Sequence, residues 1–184
     1  MDHTEAIVEL NHVLSDEFRE KIISLTDHKA RKKLTLKSDI LKPDVRNVFG
    51  FALNFDYPTN LFYWNYIKKE IERLYYFYNI KFPTLHSYVL NQIDLLKYEK
   101  GGKYNLHTDN IGGGINNRTL SVIMNLNDDY EGGDLIFSDQ KFKEIKRIKL
   151  KAGSVIFFPS NFMYPHGIEP ITKGKRYSVV AWLN

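Results

Sequence analysis

The chain contains no cysteine, and that single absence removes several kinds of chemistry. Disulfides, thiolate metal ligands and a cysteine nucleophile are excluded, and the composition suits a reducing cytoplasm. A transition-metal site would have to be built from histidine and carboxylate, which favours iron, manganese or zinc over copper(I) or iron–sulfur clusters. Long apolar runs are missing too. No stretch approaches the ~18 uninterrupted apolar residues of a membrane span. Met1-Asp2-His3-Thr4-Glu5 lacks the basic-then-apolar order of a secretory signal. Repeats, low-complexity tracts and linkers are also absent. The expectation is a small cytoplasmic protein of bacterial or viral type, with no membrane partner.

What is present fits a folded chain. Its 184 residues suit one domain, 1–184, and 43% are hydrophobic against 26% charged, enough to bury a core. The net charge of +4 raises nucleic acid as a partner. The basic residues gather in Lys29–Lys33 and Lys141–Lys151. In the second run Ile148 and Leu150 alternate with Arg147, Lys149 and Lys151, the period of a strand with one buried and one wet face. That favours a solvated sheet face over a nucleic-acid track. Only His28-Lys29-Ala30-Arg31-Lys32-Lys33, read as a loop, remains a candidate anion contact.

Residues 5–10 read as a short strand, Ser15 as the cap of a helix to about Leu25, and residues 45–55 as a strand. Pro58 opens a helix to about Tyr78, whose stripe of Leu61, Trp64, Ile67, Ile71, Leu74 and Tyr78 should face the core. From about His86 the texture changes. Short segments rich in Val, Ile, Tyr and Phe alternate with Gly, Asn and Asp turns, at 86–98, 118–126, 134–138, 144–150, 154–158 and 175–183. The pattern predicts an α+β fold. Helices, mainly in 1–85, should support a sandwich or rolled barrel of antiparallel strands, mainly in 86–184.

One constellation carries chemistry. In His107-Thr108-Asp109 an extended backbone would turn imidazole and carboxylate to one face. Of the other histidines, His166 follows a buried-looking strand, Ser154-Val155-Ile156-Phe157-Phe158-Pro159, and a turn. Two histidines and one carboxylate on one face of an octahedron form the arrangement of non-haem iron(II) oxygenases. Arg176 opens the last strand, and Ser178 shares its face. Arginine grips carboxylate with a two-pronged fork. A dicarboxylate could chelate the metal at one end and meet Arg176 and Ser178 at the other.

The motif Tyr98-x-x-Gly101-x-x-Tyr104-x-x-His107-x-Asp109 resembles the metal site of the prolyl 4-hydroxylase-like branch of the 2-oxoglutarate/iron(II)-dependent oxygenases. Arg118-Thr119-Leu120-Ser121, Asn125-Leu126-Asn127, Gly132-Gly133-Asp134-Leu135, Gly153-Ser154-Val155-Ile156-Phe157-Phe158, His166 and Gly174-Lys175-Arg176 follow in that family's order. The resemblance covers roughly residues 86–184. It implies a double-stranded β-helix, or jelly roll, with Fe(II) on His107, Asp109 and His166. It also implies 2-oxoglutarate and O2 as cosubstrates, with ascorbate as an optional reductant. Arg176 would pair with the far carboxylate of 2-oxoglutarate and Tyr98 would hydrogen-bond the same molecule. Tyr104, Arg118 and Trp182 fall where relatives contact a peptide near the iron. Asn125 stands where relatives often have tyrosine; as a cosubstrate contact it can still donate a hydrogen bond but is shorter, which implies a rearranged pocket. The implied reaction is hydroxylation of a C–H bond, with a peptidyl proline as the first choice of substrate.

Other readings remain open at this point. The same chemistry could act on a free amino acid, nucleic acid or small metabolite. A jelly roll could also bind without catalysis, although that would usually show a lost ligand or a lost arginine. A zinc hydrolase lacks a base beside the ligands and gives Arg176 nothing to do. Gly112-Gly113-Gly114 lacks the Lys and Ser/Thr of a phosphate loop and reads as a lid or an ordinary turn.

Overall fold

The computed structural model describes residues 3–34, 44–85, 89–110 and 118–184. His86 and the Gly112–Gly114 segment lie outside them. Ser15 caps the first helix, α1 (Asp16–Lys29), by accepting from the Phe18 backbone N–H at 3.2 Å. The second, α2 (Pro58–Lys81), begins on proline, as expected where the first N–H groups have no partner. Its buried stripe is Asn60, Trp64, Ile67, Ile71, Leu74 and Tyr78. Leu61 departs from expectation and is exposed. The alternating steps of four and three pass through Asn60 instead, which accepts from Lys29 and donates to Asn54.

The strands are β1 (Val8–Leu10), β2 (Arg46–Asn47), β3 (Phe49–Ala52), β4 (Leu90–Tyr98), β5 (Lys103–His107), β6 (Leu120–Asn125) and β7 (Glu131–Gly132). They continue as β8 (Leu135–Ser138), β9 (Glu144–Ile148), β10 (Val155–Pro159), β11 (His166–Ile168), β12 (Ile171–Lys173) and β13 (Arg176–Leu183). One sheet runs β1-β10-β6-β13-β4-β3 and a second β2-β5-β11-β8-β9, with β12-β7 as a small ribbon. All these pairings are antiparallel. The expected strand over 45–55 is two strands, one in each large sheet, so the N-terminal part supplies sheet edges as well as helices. The strand expected over 5–10 is shorter, because His3–Ala6 forms a 3-10 turn.

The six-stranded sheet is buried on both faces, and strand alternation decides which residue goes where. Ile93, Leu95, Val122, Met124, Val155, Phe157, Val179 and Ala181 pack against Phe18, Ile22, Ile67, Ile71 and Leu74 of the helices. Removing such a side chain from water contributes about 1.5–3 kcal/mol each. The opposite face carries Leu96, Tyr98, Ile123, Ile156 and Phe158, which meet Leu135, Phe137, Ile148 and Ile168 of the second sheet. The space between the sheets is therefore apolar at its centre.

The second basic run alternates as expected. Ile148 and Leu150 are buried while Lys149 and Lys151 are exposed. Arg147 is held by Glu144, Asp134 and Glu169. The first cluster is not simply a loop, since His28 and Lys29 close α1 and Lys29 bonds Asn60 at 2.8 Å.

Candidate active site

His107 ends β5 and stands directly opposite His166 on β11. Asp109 lies beyond the strand, in a bend anchored by the Asn110 backbone N–H on the Ser160 carbonyl at 2.8 Å. The convergence therefore comes from strand pairing plus this anchor, and strand alternation alone does not supply it. One ligand-type atom from each of His107, Asp109 and His166 lies within 4.8 Å of the others. Asp109 and His166 are buried, and His107 is partly open.

The donor atoms are prepared. His107 Nδ1–H donates to the Asn105 carbonyl at 2.9 Å, and His166 Nδ1–H to the Tyr164 carbonyl at 3.1 Å. Each bond fixes the tautomer and leaves Nε2 with its lone pair free. Those Nε2 atoms face Asp109 at 3.4 and 3.5 Å. Burial, helped by the neighbouring His107, pushes His166 down to about 4 against the pull of Asp109, so the ring is neutral at pH 7. Burial alone would raise the Asp109 carboxyl; positive charge on the neighbouring imidazoles at low pH and the Ser121 hydroxyl outweigh it and hold it below the usual carboxylate range. Two imidazoles and one carboxylate, with ligand atoms within 4.8 Å of one another, fit iron(II).

A β-bulge shapes this corner. Between His166 and Ile168 the partner strand advances from His107 to Tyr104, three residues against two. In a regular strand Tyr104 and His107 would point to opposite faces; here their rings stack at 3.7 Å. Gly167 makes the close approach feasible, because a Cβ there would lie 2.8 Å from the Tyr104 carbonyl oxygen. Tyr104 is also covered by the Arg46 guanidinium at 4.7 Å.

Ser121 was missed by sequence reading, although a serine inside the apolar strand Leu120–Asn125 was a usable signal. Its hydroxyl donates to Asp109 Oδ2 at 2.6 Å and meets the Ser160 hydroxyl at 2.7 Å, all of it buried. The pair steadies the carboxylate. Ser121→Ala should lower iron(II) affinity about 10–100-fold while leaving the fold intact, read by metal titration and circular dichroism. Wild-type affinity in that variant would show that the hydroxyl does not orient Asp109.

Arg176, 1% exposed, stands opposite Tyr98 in the register, its guanidinium 5.0 Å from that ring's centre. Its Nε–H donates to Asn125 Oδ1 at 3.1 Å, while Nη1 and Nη2 are buried without a hydrogen-bond partner. Ser178 Oγ, on the same face, is buried and unpartnered as well. A buried cation left so incomplete is costly unless an anion joins it. The distal carboxylate of 2-oxoglutarate is such an anion, so these residues fit the cosubstrate. Asn125 is already engaged, for its amide also donates to the Asn127 carbonyl at 2.6 Å and its oxygen receives the Tyr130 hydroxyl at 3.4 Å. It holds Arg176 rather than reaching into open space, and Tyr130 was not foreseen.

Arg118 precedes β6 instead of lying on a strand, and its guanidinium sits 3.6 Å from the Trp182 ring centre. Its Nη1 reaches toward the Asp109 carbonyl at 3.5 Å. Arg118 and Trp182 are thus beside the metal ligands, with Tyr104 stacked on His107 on the other sheet.

Comparison with known proteins agrees with this geometry. The family described as the 2OG-Fe(II) oxygenase superfamily matches residues 93–184. Human prolyl 3-hydroxylase 2 is 42% identical over 66 residues, 35% of this chain and 9% of that protein. A PKHD-type hydroxylase of Synechococcus sp. (strain CC9902) is 36% identical over 107 residues, 55% of this chain and 46% of that protein. The chain thus spans less than half the length of either relative. Among solved structures, a Trichoplax adhaerens prolyl hydroxylase in complex with a hypoxia inducible factor peptide fragment superposes with a TM-score of 0.77. That match has 18% identity and covers 98% of this chain and 84% of that one. A Pseudomonas putida prolyl-4-hydroxylase gives 0.74 at 17% identity, covering 97% and 92%. The shared fold is the double-stranded β-helix that the sequence led us to expect. With its family match extending over half its length, the chain belongs to the 2OG-Fe(II) oxygenase superfamily, whose members use iron(II), 2-oxoglutarate and dioxygen.

Proposed function

We propose that this protein is a 2-oxoglutarate-dependent hydroxylase acting on proline in a peptide or protein, with His107, Asp109 and His166 as its iron ligands. The observation that carries the oxygenase reading is Arg176, a buried guanidinium with two unpartnered nitrogens on the face that also bears Tyr98 and Ser178. Iron(II) and 2-oxoglutarate, when bound, would activate dioxygen toward an unactivated C–H bond, one oxygen atom entering the product hydroxyl and the other the succinate released with carbon dioxide. The chain's own task is to orient and to exclude water. Arg176 and Ser178 bind the distal carboxylate, Tyr98 supports Arg176, and the apolar wall of Ile123, Ile156 and Phe158 keeps the interior dry.

The substrate reading rests on the groove residues and on the relatives named for prolyl hydroxylation. Tyr104 and Trp182 offer aromatic surface to a proline ring, and Arg118 can donate to a peptide carbonyl. A chain without cysteine suits the cytoplasm, and none of the described helices is long and apolar enough to cross a membrane. Proline-rich peptides should stimulate succinate release where oligonucleotides and free amino acids do not. Tyr104→Leu and Arg118→Lys should impair peptide hydroxylation more than peptide-free decarboxylation of 2-oxoglutarate. An equal fall in both activities would make these residues structural, and stimulation by another substrate class would replace proline.

A further inference from the structure

The inner face of β4 carries two polar side chains to which the reading above assigns no role. Strand alternation puts Gln92 and Asp94 on the same face as Leu96 and Tyr98, between the sheets. Asp94 is 6% exposed, and burial raises its pKa. A carboxylate in such a place is costly unless something depends on it.

The hydrogen bonds show what depends on it. Gln92 Nε2 donates to Asp94 Oδ1 at 2.7 Å, and Gln92 Oε1 accepts from Arg118 Nη2 at 3.0 Å. Arginine only donates, so it must face the amide oxygen. The amide nitrogen then turns to Asp94, which accepts. Arg118, which can only donate, fixes the direction of the chain, and the neutral amide links it to the Asp94 carboxyl. Trp182 stands opposite Gln92 in the strand register and carries the Arg118 guanidinium on its ring. Without an acceptor at position 94, the Gln92 amide could flip and point N–H groups at Arg118.

We propose that Asp94 and Gln92 are positioning residues that hold Arg118 flat against Trp182, fixing where its remaining N–H groups meet the substrate. The substrate part rests on the reading of Arg118 as a peptide contact; the positioning part does not. Gln92→Leu, Asp94→Asn and the double variant separate the two. With a proline-rich peptide, Gln92→Leu should raise its KM about tenfold, with Asp94→Asn smaller and the KM for 2-oxoglutarate unmoved. The double variant should raise the peptide KM no further than Gln92→Leu, because the hydrogen bonds that link Asp94 to Arg118 pass through Gln92. A merely structural role would lower kcat and Tm together without a selective change in peptide KM. Multiplying effects, or an unchanged peptide KM in Gln92→Leu, would overturn the relay.

A second arm needs no substrate. The chain has two tryptophans, so in a Trp64→Phe background the emission comes from Trp182. Arg118→Ala and Gln92→Leu should both make that emission easier to quench with acrylamide. A change with the first and none with the second, or none with either, overturns the relay. A change with both, in a protein that no proline peptide stimulates, supports the relay and removes proline as the substrate.

Discussion

Replacing any one of His107, Asp109 or His166 by alanine is expected to abolish turnover and to weaken iron(II) binding severely. The physical reason is that the three donors form a single site with little redundancy. Their ligand atoms lie within 4.8 Å of one another, both imidazoles are held by backbone carbonyls, and Asp109 is held by Ser121. Among the described residues no other group of three His, Cys, Asp or Glu side chains converges in this way. Removing Asp109 also takes away the one negative charge that offsets the cation, so it should cost the most affinity. Metal titration alongside the succinate assay measures both effects. A variant that kept near-normal turnover and iron affinity would strike its residue from the ligand set.

Arg176→Leu should raise the 2-oxoglutarate requirement by about 2–5 kcal/mol, roughly thirtyfold or more in apparent affinity. Leucine fills similar space against Tyr98 but cannot donate. The distal carboxylate would then be buried facing apolar carbon and the single hydroxyl of Ser178. Stability should suffer less than binding, because in the free protein Nη1 and Nη2 have no partner to lose. An unchanged requirement would move the anion site elsewhere.

The sequence made some of this visible and hid the rest for identifiable reasons. The helix beginning at Pro58 and the alternation over residues 148–151 were legible because burial there follows a simple period. The triad and Arg176 were legible because their residue types and order have a chemical meaning even before their positions are known. Leu61 misled because a stripe can pass through a polar residue, here Asn60, when neighbours such as Lys29 and Asn54 satisfy it. The stack of Tyr104 on His107 was invisible because a bulge reverses a side chain's face, and only pairing with β11 reveals it. Ser121, Ser160, Gln92 and Asp94 escaped for another reason. Ser121, Ser160 and Gln92 have partners on distant segments, which spacing along the chain does not encode, and Asp94 is tied in only through its neighbour Gln92. For Ser121 alone, its place inside the buried strand β6 was a signal.

The most direct test adds iron(II) and then 2-oxoglutarate to the protein without oxygen, following visible absorption. The expected result is a weak charge-transfer band that saturates with 2-oxoglutarate in the wild type. It should be lost in His166→Ala and should need far more 2-oxoglutarate in Arg176→Leu. A wild-type protein that takes up iron(II) yet shows no such band, or an Arg176→Leu titration that superposes on the wild type, would contradict the assignment of these residues.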